Sequence, residues 1–259
     1  MIPPETYFQF HLVFTLPVIA LLVAASWYRG TRLDSPAAVA GMVVILGLAL
    51  GYTTPWDNLL IEVGVWWYGD GVVWRTIWVA PVGEYLFFLA QPTATLLFLG
   101  LFEFPTDMSL SLTVRERLAG LLSGVGVSLV GVCLLLAGDS WLYLASILVW
   151  AGPVLAIQWA FGWTYLVYIR RAVVAAVAVP TLYFWVADWT AISLGLWTIA
   201  DTYSVGLAPF GFPVEEATFF VVTNLFVVQG YVLYCWLVAQ WPTVTPTSLP
   251  GVTGDPSER

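Results

Sequence analysis

The chain has 259 residues, of which 60% are hydrophobic and only 9% are Asp, Glu, Lys or Arg, with a formal net charge of -8. A soluble domain carries about 25% charged residues, so the composition excludes an ordinary soluble protein and, with its long apolar runs, points to a polytopic membrane protein. The few basic residues are all arginine, which argues against a nucleic-acid surface, and the runs lack the polar–apolar alternation of a transmembrane barrel.

In chain order, seven apolar runs read as membrane-spanning helices, at residues 8–26, 36–54, 79–101, 117–137, 141–168, 171–190 and 213–240. Some are short or polar at their edges, which leaves six or eight spans as alternatives. The fold class is expected to be all-α, a polytopic transmembrane helical bundle. The opening MIPPETYFQFH has no basic n-region, so the first run is expected to be a retained span. Arg29 and Arg32 follow span 1, Arg115 and Arg117 precede span 4, and Arg170 and Arg171 separate spans 5 and 6. With seven spans these fall on one side, together with Arg259, and only Arg75 falls on the other. The positive-inside rule then puts the N-terminus outside and the C-terminus in the cytoplasm of a multi-pass cell-membrane protein. Residues 242–259 are rich in Pro, Thr, Gly and Ser and read as a disordered tail. Cys133 and Cys235 lie in apolar runs and read as small buried residues. His11, inside the first span, reads as a polar contact between helices.

Two pairs of stretches repeat. PVGEYLFF (Pro81 to Phe88) returns as PVEEATFF (Pro213 to Phe220), an offset of 132, and DNLLIEVGVW (Asp57 to Trp66) returns as DWTAISLGLW (Asp188 to Trp197), an offset of 131. The period suggests a first repeat over 1–110, a connector helix over 111–140 and a second repeat over 141–241. An odd connector makes the two three-span units parallel in the bilayer, so that matching residues would meet around an axis along the membrane normal.

The repeats carry acids where acids are costly. Glu84, Glu215 and Glu216 fall near the outer ends of spans 3 and 7, and Asp57 and Asp188 near the ends of spans 2 and 6. Acids beside or within a span tend to face an interior site; caps and interfacial anchors are the plainer reading. A helix N-terminus softens the cost of the Glu residues, and the preceding Pro suits a first turn. Glu215 has Gly83 opposite it, so the halves are not equivalent. Carboxyl groups in a low dielectric, close to one another, can supply a proton donor beside an ionised acceptor. Along span 3, Glu84, Phe88, Gln91 and Thr95 share a face, as do Glu216, Phe220, Thr223 and Asn224 along span 7. These stripes fit either a shared cavity or helix–helix contact through small polar groups. Aromatic residues, among them Trp66, Trp67, Trp185, Trp197, Phe219 and Phe220, lie near the acids in sequence, and an aromatic face stabilises a cation. Acid with aromatics suits carbocation chemistry. No dinucleotide or phosphate-binding motif appears, no metal site is expected, and a chain without lysine cannot hold retinal as a Schiff base.

On these acids, and on the stretches YTTPWDN (Tyr52 to Asn58), WTIADTYSVG (Trp197 to Gly206) and PVEEATFFVVTNLFVVQG (Pro213 to Gly230), the chain resembles the membrane-embedded lycopene beta-cyclases of archaea, some actinobacteria and fungi over about residues 5–240. The family pattern, Pro, any residue, Glu, then Glu or Tyr, falls on Pro213 to Glu216; in the first half Gly83 stands where the first Glu is expected, followed by Glu84 and Tyr85. The resemblance implies a non-redox reaction that closes a ring at each end of lycopene, through gamma-carotene to beta-carotene. It implies Glu216 as preferred proton donor, Glu84 as its partner, Glu215 as alternative donor, and Asp57 and Asp188 as groups that orient or tune them. Phe88, Gln91, Phe219, Phe220, Asn224, Trp66 and Trp197 are the expected substrate contacts. The partners implied are an apolar carotenoid and the bilayer; no cofactor and no nucleic acid are expected, and the oligomeric state stays open. A carotenoid hydratase-like enzyme, or a membrane transporter or lipid-binding protein, are the alternative readings.

Overall fold

A computed structural model describes residues 4–31, 35–109 and 112–244. Arg32, Arg259 and the expected tail of 242–259, save residues 242–244, which continue the last helix, lie outside the described residues. The fold is all-α, with seven helices among the described residues long and apolar enough to cross a membrane: α1 (Tyr7–Arg29), α2 (Pro36–Val63), α3 (Val82–Leu99), α4 (Val114–Leu135), α5 (Leu142–Tyr168), α6 (Arg170–Ser193) and α7 (Val214–Val244). Two short antiparallel pairs lie at one end of the bundle. Strand β1 (Trp66–Tyr68) pairs with β4 (Trp197–Ile199), and β2 (Thr76–Ile77) with β3 (Ala80–Pro81).

Local chemistry sets the helix ends. Thr6 and Gln9 form a capping box at the head of α1, and Thr113 and Glu116 form one at the head of α4. Gly30 and Gly64 close α1 and α2 in the left-handed conformation, at φ 60° and 85°. The second helix does not stop at 54, where the expected span ends, but continues through Pro55 to Val63. Thr54 Oγ1 donates to the Leu50 carbonyl at 2.7 Å and Asn58 Nδ2 to the Thr54 carbonyl at 2.9 Å, so side chains occupy backbone acceptors around the proline. Likewise α7 runs past 240 to Val244.

Helices α4 and α5 form a tight pair. Gly120 and Gly124 of α4 lie against the backbone at Trp159 and Ala156, and Gly152 of α5 lies against Ser128. Small residues let two helix backbones approach closely where burial from water cannot drive association. The outer face of α4 meets the surroundings; Cys133 is on it, exposed rather than buried as read from sequence, because only the glycine stripe faces α5. The other helices bury aromatic side chains against one another, with Phe10, Phe184 and Trp236 almost wholly enclosed.

Candidate active site

All the acid-bearing helix ends lie at the end of the bundle that carries the strands. The β1–β4 ribbon ties them together, with Trp66 opposite Ile199 and Tyr68 opposite Trp197. Alternation along each strand sends Trp66 and Trp197 inward and turns Trp67 outward, half exposed. The β2–β3 hairpin is pinned by Asn58, whose Oδ1 accepts from the backbone N–H of Val79 and Ala80 at 3.1 and 3.0 Å.

Beneath the ribbon is a narrow cavity of about 50 Å³. Asp57 of α2, Glu84 of α3, Asp188 of α6 and Glu216 of α7 all line it, with Trp66, Trp197, Phe88, Phe219 and Phe220. The four acids come from four helices, and each has a different setting. Tyr68 donates its hydroxyl to Glu84 Oε1 at 2.5 Å and itself receives the Trp66 indole N–H at 3.1 Å. Burial and the neighbouring Glu84 push the Tyr68 phenol well above its usual range, so it remains a donor. Tyr7 of α1 lines the same cavity as Glu84. Glu216 Oε1 accepts from the Tyr143 hydroxyl at 2.8 Å, and Asp188 lines the same cavity. Asp188 Oδ1 accepts the Trp197 indole N–H at 2.9 Å. The Oδ2 atoms of Asp57 and Asp188 are both buried and meet no donor. Glu84 and Glu216 both occupy the first turn of their helices, where free backbone N–H groups favour negative charge.

The walls are rings. Phe184 stacks on Phe220 with centroids 5.9 Å apart, and Phe87 meets both edge-on. Trp56 lies parallel to Phe219 at 5.8 Å. Aromatic rings lining a small space are suited to a transient positive charge.

Several expected contacts lie elsewhere. Glu215 is fully buried but does not line the cavity; its Oε1 accepts from Val205 N–H at 2.7 Å and Ser204 Oγ at 3.1 Å, which ties it to the loop before α7. Gln91 Nε2 donates to Asn224 Oδ1 at 2.7 Å, Thr95 donates to the same oxygen at 2.6 Å, and Asn224 Nδ2 donates to Thr181 at 3.0 Å. Of the two cavity-or-contact readings of these stripes, Asn224 takes contact: it clamps α3, α6 and α7. His11 bridges to the Gly83 carbonyl through Nε2 at 2.9 Å and to Thr15 through Nδ1, joining α1 to α3. Gly83 is where it is because a Cβ there would fall 2.5 Å from the Tyr7 ring.

Sequence reasoning missed Tyr7, Tyr68, Tyr143 and Trp56. Tyrosines and tryptophans at span ends read as interfacial belts, and nothing local separates one that anchors from one that turns inward to an acid. Asn58 was quoted within YTTPWDN but given no role.

A lycopene beta-cyclase of Halobacterium salinarum is 46% identical over 221 residues, spanning 85% of this chain and 93% of that protein. The chain belongs to the lycopene beta-cyclase family. Fungal members are longer: the bifunctional lycopene cyclase/phytoene synthases of Aspergillus oryzae and Gibberella fujikuroi are 31% and 32% identical over 90% and 87% of this chain, which spans 40% and 39% of their lengths. No family model and no solved structure matches the chain. The lycopene beta-cyclase family thus gives a frame for the four-acid cavity, with a relative from a halophilic archaeon among its members.

Proposed function

We propose that the protein is a lycopene beta-cyclase that converts lycopene through gamma-carotene to beta-carotene by acid–base chemistry inside the bilayer. One observation carries this reading: Asp57, Glu84, Asp188 and Glu216, from four helices, share a single aromatic-walled cavity. The reaction needs a proton given and a proton taken, with no net oxidation. An acid protonates the terminal double bond of the acyclic end group. The next double bond attacks the cation and closes a six-membered ring. A carboxylate then removes the proton whose loss places the ring double bond.

Glu216 is assigned as donor. Two buried carboxyl groups on one small cavity, as those of Asp188 and Glu216 are, favour holding one proton between them because two nearby negative charges repel. The Trp197 N–H on Asp188 steadies its ionised state and leaves the proton to Glu216. Glu84, held by Tyr68, is assigned as the acceptor, ionised in the first turn of α3. Phe87, Phe184 and Phe220 face the cation between them. Glu215 acts on the loop at 204–206 rather than on substrate. The two halves, 1–110 and 141–241 with a connector between, then each supply one Asp and one Glu. The cavity lies at the end of the bundle opposite Arg29, Arg115, Arg117, Arg170 and Arg171, so the positive-inside rule puts it on the outer side.

The test is expression in a host that accumulates lycopene and has no cyclase, with chromatographic separation of the pigments. Beta-carotene, with gamma-carotene at early times, is expected. Unchanged lycopene beside correctly inserted protein would overturn the reading, and a hydroxylated product would assign a hydratase instead.

A further inference from the structure

The acid cavity of about 50 Å³ is too confined for a long chain, but it adjoins a second, far larger space. A groove of about 540 Å³ runs between α2, α3, α5 and α7, and Phe87, Phe88 and Phe219 line both it and the acid cavity. Its mouth is formed by Val44, Leu48 and Ile157, which are 47%, 62% and 70% exposed on the face an apolar helix turns to lipid. Gln91 is turned to Asn224, Gln158 Nε2 to the Phe226 carbonyl and Thr223 to the Phe219 carbonyl, while Gln158 Oε1 is buried and meets no donor. What remains is hydrocarbon and ring surface, in the size range of a small-molecule site.

The rings in the wall form a ladder. Trp150, in the groove, stacks on Trp56 of the acid cavity at 4.8 Å, and Trp56 stacks on Phe219 at 5.8 Å, with interplanar angles of 21° and 2°. Tyr52 extends the ladder, stacked on Trp150 at 5.4 Å and fixed by a hydrogen bond to the Trp150 carbonyl at 2.8 Å. Rings stacked on one another at these spacings make a rigid, continuous aromatic wall, which suits a stiff conjugated chain better than a flexible saturated one.

We propose that this groove seats the body of a linear conjugated polyene, entering from the bilayer between α2 and α5, while one end group passes Phe87, Phe88 and Phe219 into the acid cavity. The assignment rests on the cyclase reading above and adds to it a docking site outside the acid cluster.

The test uses the purified full chain in detergent with two substrates that share an end group, one a forty-carbon acyclic polyene and one truncated to end at the three phenylalanines. Ala49 lines the groove and not the acid cavity, so Ala49→Trp fills the groove and leaves the acids untouched. The variant is expected to lose about tenfold or more in kcat/KM on the long substrate while the truncated one changes less than about threefold. Leu122→Trp, on the exposed face of α4, controls for a bulky residue facing lipid and is expected to change neither. Equal losses on both substrates, or none on the long one, would overturn the groove assignment. Co-purifying lipid displaced by Ala49→Trp without loss of polyene turnover would assign the groove to an acyl chain and overturn it as well. If the wild type closes no ring on either substrate, the cyclase reading itself fails, a result distinct from the others.

Discussion

Tyr143, in the first turn of α5, donates its hydroxyl to Glu216 at the head of α7 across 2.8 Å. That bond fixes the carboxyl against the cavity, which Asp188 also lines. Tyr143→Phe keeps the ring and removes the bond. A hydrogen bond to a charged or proton-sharing group contributes about 1.5–3 kcal/mol, so ring formation is expected to fall by roughly ten- to a hundredfold. Time courses of cyclised pigment from purified protein would measure it, and an unchanged rate would remove Tyr143 from the site.

The neighbouring glutamates separate by position. Glu216→Gln is expected to abolish ring formation while the protein stays folded in the membrane, because the amide has no acidic proton to give. Glu215→Gln keeps an oxygen able to accept from Val205 N–H and is expected to retain activity within about threefold. Pigment analysis of the two variants at matched membrane levels would distinguish them, and a reversed pattern would make Glu215 the donor.

Gly83 tests the link between α1 and Glu84. A Cβ at this position falls 2.5 Å from the Tyr7 ring, and overpacking of this kind costs about 1–3 kcal/mol. Gly83→Ala is expected to displace Tyr7 in the cavity it shares with Glu84 and to lower both thermal stability in detergent and ring formation. Gly126→Ala, where nothing lies within 4 Å, is the comparison and is expected to be neutral or slightly stabilising.

Asn224 is expected to matter to stability far more than to chemistry. Asn224→Leu orphans Gln91 Nε2 in a buried setting and leaves Thr95 and Thr181 only backbone carbonyls as partners. An orphaned group costs about 1–3 kcal/mol, so a marked drop in melting temperature in detergent is expected. An Asn224→Leu variant that melts like wild type yet forms no ring would return Asn224 to the substrate.

Much of this architecture is readable from the chain, for physical reasons. Seven spans follow from seven apolar runs, since the bilayer core leaves helices no alternative to internal hydrogen bonding. The end of α2 is misread because Thr53-Thr54-Pro55 resembles a break in water, whereas inside a bundle the Thr54 and Asn58 side chains sustain the helix. The acids stand out because they are rare. Which of two adjacent glutamates faces inward depends on where α7 starts, and adjacent residues on a helix diverge by about 100°, so the pair Glu215–Glu216 could not be resolved by pattern. Gln91 and Asn224 carry the same signature whether they clasp each other or a ligand. Tyr68, which holds Glu84, lies in strand β1, and Tyr143, which holds Glu216, lies at the head of span 5; both fall outside the two repeated stretches.

The paired strands β1 and β4 place peptide groups bonded to each other, not to solvent, across the outer end of the acid cavity, and their inward residues Trp66 and Trp197 are only 7% and 8% exposed. A tertiary cation is quenched by whichever nucleophile reaches it first, and water would yield an alcohol. Loosening that two-stranded cover would therefore show itself as a change of product, hydroxylated pigment in place of rings, before it showed as any loss of turnover.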